Sequence, residues 1–198
     1  MRTDDLYRLP ADLPIPIDDG AAQHLPGLAL PPIALPSTDR HSVRLDDPAI
    51  HLVVVYCYPH TGRPDTNAPG GTDAWNAIPG ARGCTPQSCA YRDHYQELQR
   101  LGAKVYGLST QNTEYQREAV RRLRLPFALL SDAAGEFSNS LQLPWFEVEG
   151  MRLLKRLTLV LAQGRILHCV YPVFPPDEDA ERVIEWIRRH AAEFERLS

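Results

Sequence analysis

Residues 51–58, HLVVVYCY, limit the possible fold more than any other stretch. They are almost wholly apolar and rich in β-branched side chains, so a strand built from them hides both of its faces. Such a strand needs a covering layer on each side of its sheet. The segments that follow can supply those layers. Residues 86–101 place Ala90, Tyr91, Tyr95, Leu98 and Leu101 on one helical stripe, with Gly102 set to end it. KVYGLST at 104–110 predicts a strand, 113–123 a polar, arginine-rich helix, 127–132 a short strand and 133–143 a short helix. Residues 156–162 and 165–171 read as two strands joined at Gln163-Gly164, a hairpin signal. Pro175 and Pro176 then lead into a helix from about Asp177 to Leu197, with Val183, Ile184, Ile187, Ala191 and Phe194 on one face. This alternation predicts an α/β fold, a mixed central sheet flanked by helices.

Two stretches stand outside the pattern. Residues 1–37 are crowded with proline and leucine, which rules out a long helix and predicts an extended arm lying on the domain. Residues 60–80, HTGRPDTNAPGGTDAWNAIPG, predict a loop, and one long enough to suggest a function. The division expected is an arm over 1–26 and a single domain over 27–198. A net charge of -4 gives no reason to expect nucleic acid or an anionic membrane as partner. No apolar run approaches the ~20 residues that cross a bilayer. The opening MRTDDLYRLP has acids where a secretory leader carries basic residues, so the cytoplasm is the expected location. There, stable disulfides are uncommon, and paired cysteines more often serve redox chemistry or metal binding.

The chain has four cysteines. Cys57 and Cys169 lie in apolar strand segments and are expected to be buried hydrophobes. Cys84 and Cys89, in ARGCTPQSCAYRD, are spaced C-x4-C with no second pair, a poor match to a zinc site even with His60 or His94 recruited. No metal or organic cofactor is expected. If both cysteines sit in one helix, their Cα atoms are ~8.6 Å apart by helix geometry. A disulfide rarely spans more than ~7 Å. The pair can therefore close only if the first turn unwinds. Thr85 and Pro86 mark a helix start, which puts the Cys84 sulfur by unpaired backbone N–H groups and the positive end of the helix dipole, an environment that favours thiolate. Arg82 and Arg92 add positive charge nearby in sequence. Cys89, one turn further in, is better suited to act second.

Five segments in register, VVVYCYP, GCTPQSCAYRDHYQEL, VYGLST, LPFALLSD and KRLTLVLAQGRI, resemble a peroxiredoxin of the Q type, also called bacterioferritin-comigratory proteins. The likeness covers about residues 27–190, and LPGLALPPIALPSTDRHSVRL resembles that family's opening hairpin. The resemblance implies a thioredoxin-like fold and a thiol peroxidase acting on hydrogen peroxide or organic hydroperoxides. It makes Cys84 the peroxidatic cysteine, Cys89 an intrahelical resolving cysteine, and Arg156 the arginine that reaches the peroxidatic sulfur. Pro59 falls on the proline that opens the active-site loop. A thioredoxin- or glutaredoxin-like reductant is implied as partner, and the assembly as monomer or homodimer.

In the family pattern a Thr or Ser stands three residues before the cysteine, and the proline seven before it. Here Ala81 holds the first position, and Pro59 precedes Cys84 by 25 residues. The hydroxyl that positions the peroxide is thus absent from its place, and Thr61, Thr66 and Thr72 of the insertion are candidates to supply it. Trp75, Trp145 and Phe146 are candidates to line the pocket. Two other readings of the cysteine pair stand beside this one. A redox-responsive sensor or binding protein would oxidise once with little turnover. A protein-disulfide oxidoreductase would usually carry cysteines two residues apart rather than four.

Overall fold

The computed structural model describes residues 4–192. A short hairpin, β1 (Ala34–Pro36) and β2 (Ser42–Arg44), precedes the apolar run, which forms β3 (Val53–Cys57). Next come α1 (Thr72–Asn76), α2 (Cys84–Asp93), α3 (Tyr95–Arg100), β4 (Lys104–Ser109), α4 (Thr113–Leu123), β5 (Leu129–Ser131) and α5 (Glu136–Ser140). A second hairpin, β6 (Trp145–Val148) and β7 (Met151–Leu154), leads to β8 (Leu157–Ala162) and β9 (Arg165–Val170). A single 3-10 turn (Pro176–Glu178) opens the last helix, α6 (Asp179–Arg189).

The five-stranded sheet has the order β5-β4-β3-β8-β9. β3 runs parallel to β4 and antiparallel to β8, so the sheet is mixed and β3 is central. Successive side chains of a strand point to opposite faces, and along β3 this divides the interior. Val54, Tyr56 and Tyr58 join a core with Tyr91 of α2, Ala119 and Leu123 of α4, and Val183, Ile184 and Ile187 of α6. Val53, Val55 and Cys57 join a second core on the other face with Phe137, Leu159 and Leu161. Ala22 and Leu25 of the arm are buried in that second core. This is the α/β fold with a mixed sheet expected from the alternation, in the thioredoxin-like form that the resemblance implies.

Three expectations are corrected in detail. The stretch 60–80 is not all loop, because it contains α1, whose Trp75 is buried. The stripe over 86–101 is carried by two helices. The chain leaves helical dihedrals at His94 (φ -92°, ψ 5°), whose imidazole meets the Glu97 carboxylate at 3.1 Å. The last helix starts at Asp179 rather than Asp177 and leaves Ala191 exposed, while Phe194 lies outside the described residues.

Candidate active site

Cys84 is the first residue of α2, and Gly83 before it takes a left-handed conformation (φ 109°). That conformation suits glycine. Space demands it too: a Cβ at 83 would fall 2.4 Å from Cγ of Pro176 and 3.0 Å from Cδ2 of Leu9. The helix start can therefore press against the turn before α6 and against the arm. Tyr56 of β3 holds the same helix from the sheet side. Its ring stacks on Tyr91 at 4.5 Å, and its hydroxyl donates to Ser88 Oγ at 3.1 Å. Cys84 is 4% exposed.

Arg156, which directly precedes β8, meets the sulfur. Its Nη2 donates toward Cys84 Sγ at 3.3 Å and is also 3.2 Å from each of the carbonyl oxygens of Gly80, Ala81 and Arg82. A guanidinium in this position stabilises negative charge on the sulfur and on oxygens that approach it. The guanidinium is itself fixed. Nη1 donates to Gln87 Oε1 at 2.5 Å, and Gln87 Nε2 donates to Asp179 Oδ2 at 2.8 Å. Tyr91 and Thr158 donate to the same carboxylate oxygen at 2.9 and 2.7 Å. Burial pushes the Asp179 carboxyl above the ordinary aspartate range, against hydrogen bonds from Thr158, Gln87 and Tyr91 that favour the ionised form.

Positive charge at the sulfur thus comes from Arg156. Arg82 instead pairs with the Asp4 carboxylate of the arm, and Arg92 pairs with Asp93 and donates to the Leu123 carbonyl. Cys84 shares a cavity of about 20 Å³ with Leu6, His60, Trp75 and Thr85. Ala81 is wholly buried beside Trp75, Ala68 and Leu153, so an apolar cluster occupies the position expected to carry a hydroxyl. Of the threonines proposed as substitutes, none lines this cavity. Thr61 is buried elsewhere and donates to Gln111 Oε1 at 3.0 Å. The hydroxyl at hand is that of Thr85, which is buried without a hydrogen-bond partner among the described residues. Its position in GCTP reads as a helix cap, and that hid it.

Cys89 lies on the same helix, half-buried beside a groove that Tyr7, Arg8 and Leu9 also line. Burial holds its thiol above the ordinary range, partly offset by Arg92. Cys57 is buried as expected, whereas Cys169 at the outer strand β9 is only partly so; the surroundings of each hold it as a thiol, the first well above its ordinary value and the second up to about 12. Of the aromatic candidates, Trp75 lines the cavity. Phe146 packs against Trp75 at 6.2 Å, and Trp145 is 44% exposed under the Arg152 guanidinium.

A thioredoxin-like sheet with a buried thiol at a helix start, capped by a guanidinium, defines a thiol-based redox protein. A family model described as Redoxin matches residues 25–184, and the chain belongs to that family. Over 163 residues it is 28% identical to peroxiredoxin Q of Sedum lineare, covering 82% of this chain and 77% of that one. Over 166 residues it is 29% identical to peroxiredoxin Bcp of Escherichia coli, covering 81% of this chain and 94% of that one. Peroxidoxin BcpB of Mycobacterium tuberculosis has the same fold, with a TM-score of 0.66 at 23% identity over 84% of this chain and 98% of its own. The protein is a peroxiredoxin homologous to the Q and Bcp type, a thiol peroxidase.

Proposed function

We propose that Cys84 is the thiol that reduces the peroxide and Cys89 the thiol that resolves it. The Cys84 thiolate attacks the terminal oxygen of the hydroperoxide. The S–O bond forms as the O–O bond breaks, and the leaving oxygen takes a proton and departs as water or alcohol. Arg156 and the N–H groups of the first turn of α2 stabilise the charge carried by both oxygens, and the Thr85 hydroxyl stands in for the one absent at residue 81. The first turn then opens. Cys89 attacks the sulfenic sulfur, water leaves and a Cys84–Cys89 disulfide forms. A thioredoxin-type dithiol reduces that disulfide by exchange and is itself oxidised.

The contact of Arg156 Nη2 with Cys84 Sγ carries this reading. The raised thiol of Cys89, idle until its surroundings loosen, supports its role as second partner. Residues 27–198 are read as the catalytic domain, 1–26 as the arm, and the cytoplasm as the compartment supplying the reductant. The test is stoichiometric peroxide on reduced protein, followed by mass spectrometry of the peptide that spans both cysteines. The peptide is expected to lose two hydrogens, and Cys84→Ser to abolish peroxide consumption. Consumption that survives Cys84→Ser would end the assignment. A disulfide that forms once but does not cycle with a thioredoxin system would favour a sensor instead.

A further inference from the structure

The arm crosses the start of α2. Leu6, 9% exposed, lines the Cys84 cavity from one side, while Ala68, Pro69 and Trp75 of the 60–80 insertion line it from another. Arg82 holds the arm there. Its side chain is 4% exposed, and its guanidinium pairs with the Asp4 carboxylate and donates to the carbonyls of Asp5 and Arg8. A buried guanidinium requires such partners, so this segment cannot drift without leaving the charge uncompensated. Leu9 adds a second point of contact, directly over Gly83.

We propose that residues 4–9 form a selectivity roof. Leu6 restricts the Cys84 site to hydrogen peroxide and similarly small hydroperoxides, and slows those that carry aryl or bulky alkyl groups. This rests on Cys84 being the thiol that reacts with peroxide. Size is the argument. A cavity of about 20 Å³ has room for little more than one water-sized molecule. An apolar cavity on the order of 150 Å³ is what accepts a benzene ring. An aryl group beside the reacting oxygens is therefore crowded by Leu6, and an aryl hydroperoxide reacts faster in the fraction of molecules whose roof has lifted. Hydrogen peroxide enters with the roof in place. The arm before residue 25 lies outside the stretch that the family model matches, so the roof is an addition to what that model covers.

The test uses the full chain, reduced, as wild type, Leu6→Ala and Asp4→Asn. Rate constants for Cys84 oxidation are measured with hydrogen peroxide and with cumene hydroperoxide, by trapping the sulfenic acid with dimedone and reading the Cys84 peptide by mass. The ratio of the cumene to the hydrogen peroxide constant is expected to rise about fivefold or more in Leu6→Ala, which enlarges the cavity. It should also rise in Asp4→Asn, which loosens the latch. A ratio unchanged in both variants, with Cys84 oxidised throughout, overturns the roof alone. If neither peroxide oxidises Cys84 in the wild type, the peroxidase reading falls, and the roof with it.

Discussion

The Thr85 hydroxyl is buried, without a partner among the described residues, and next to Cys84 in sequence. A buried hydroxyl without a partner costs roughly 1–3 kcal/mol, and a polar ligand entering the cavity is what relieves that cost. Stability and activity should therefore move in opposite directions on its removal. Thr85→Val keeps the shape and deletes the hydrogen bond, so thermal unfolding should be unchanged or shifted upward. A hydrogen bond to a charged partner contributes about 1.5–3 kcal/mol, and each ~1.4 kcal/mol is a factor of ten in rate. Stopped-flow oxidation of Cys84 by hydrogen peroxide should then slow by about ten- to a hundredfold, with Thr85→Ser restoring most of it. Wild-type oxidation rates in Thr85→Val would show that the hydroxyl has no part in peroxide binding. Ala81 explains why sequence pattern could identify the loss but not the replacement. The missing group is visible as a letter, whereas the burial of the next hydroxyl depends on contacts with the arm and the insertion.

At the scale of elements, the proposed cycle requires α2 both to hold Cys84 and to release it. Its first turn has no side-chain cap, and its opening hydrogen bond runs from Gln87 N to the Gly83 carbonyl at 3.0 Å. Its anchors are side chains instead: Gln87 to Arg156 and Asp179, and Ser88 to Tyr56. Because burial keeps Cys89 a thiol, closure of the proposed disulfide should depend on how much of it is ionised. Below its raised pKa the thiolate fraction grows about tenfold per pH unit. Disulfide formation after a rapid pulse of peroxide should therefore accelerate steeply between about pH 6.5 and 8.5, as followed by quenching and thiol counting. A flat profile would assign the slow step to melting of the turn and remove Cys89 ionisation from it.

The elements that sequence reading found are those with strong periodicity: β3, α4 from Thr113 to Leu123, and the β8–β9 hairpin. Those it missed are held by tertiary contact. α1 has five residues, too few to be stable alone, and forms because Trp75 packs against Ala81 and Leu153. The β6–β7 hairpin turns at Glu149 and Gly150, both at positive φ, without the usual Asn-Gly or Asp-Gly signal.

Across the whole molecule, the path from Cys84 Sγ through Arg156 and Gln87 to Asp179 joins the edge of β8, α2 and α6. In sequence, Asp179 looks like an ordinary acid in the first turn of an amphipathic helix. Nothing there marks it as buried and bonded to Gln87, Tyr91 and Thr158. Its raised carboxyl pKa makes a signed prediction. In the unfolded chain the group ionises near 3.8, whereas in the folded protein it keeps its proton to higher pH. Between those two values the folded state binds more protons, so this group's contribution to stability falls as pH rises. It is largest below the unfolded value and levels off above the folded one. Asp179→Asn cannot titrate. The stability of the wild type relative to this variant, from denaturant unfolding at several pH values, should therefore be greatest in acid and decline from about pH 4 upward. A relative stability that grows with pH would mean that Arg156, acting through Gln87, outweighs burial and holds the carboxylate ionised. The network would then be a bridged ion pair anchoring Arg156 beside Cys84.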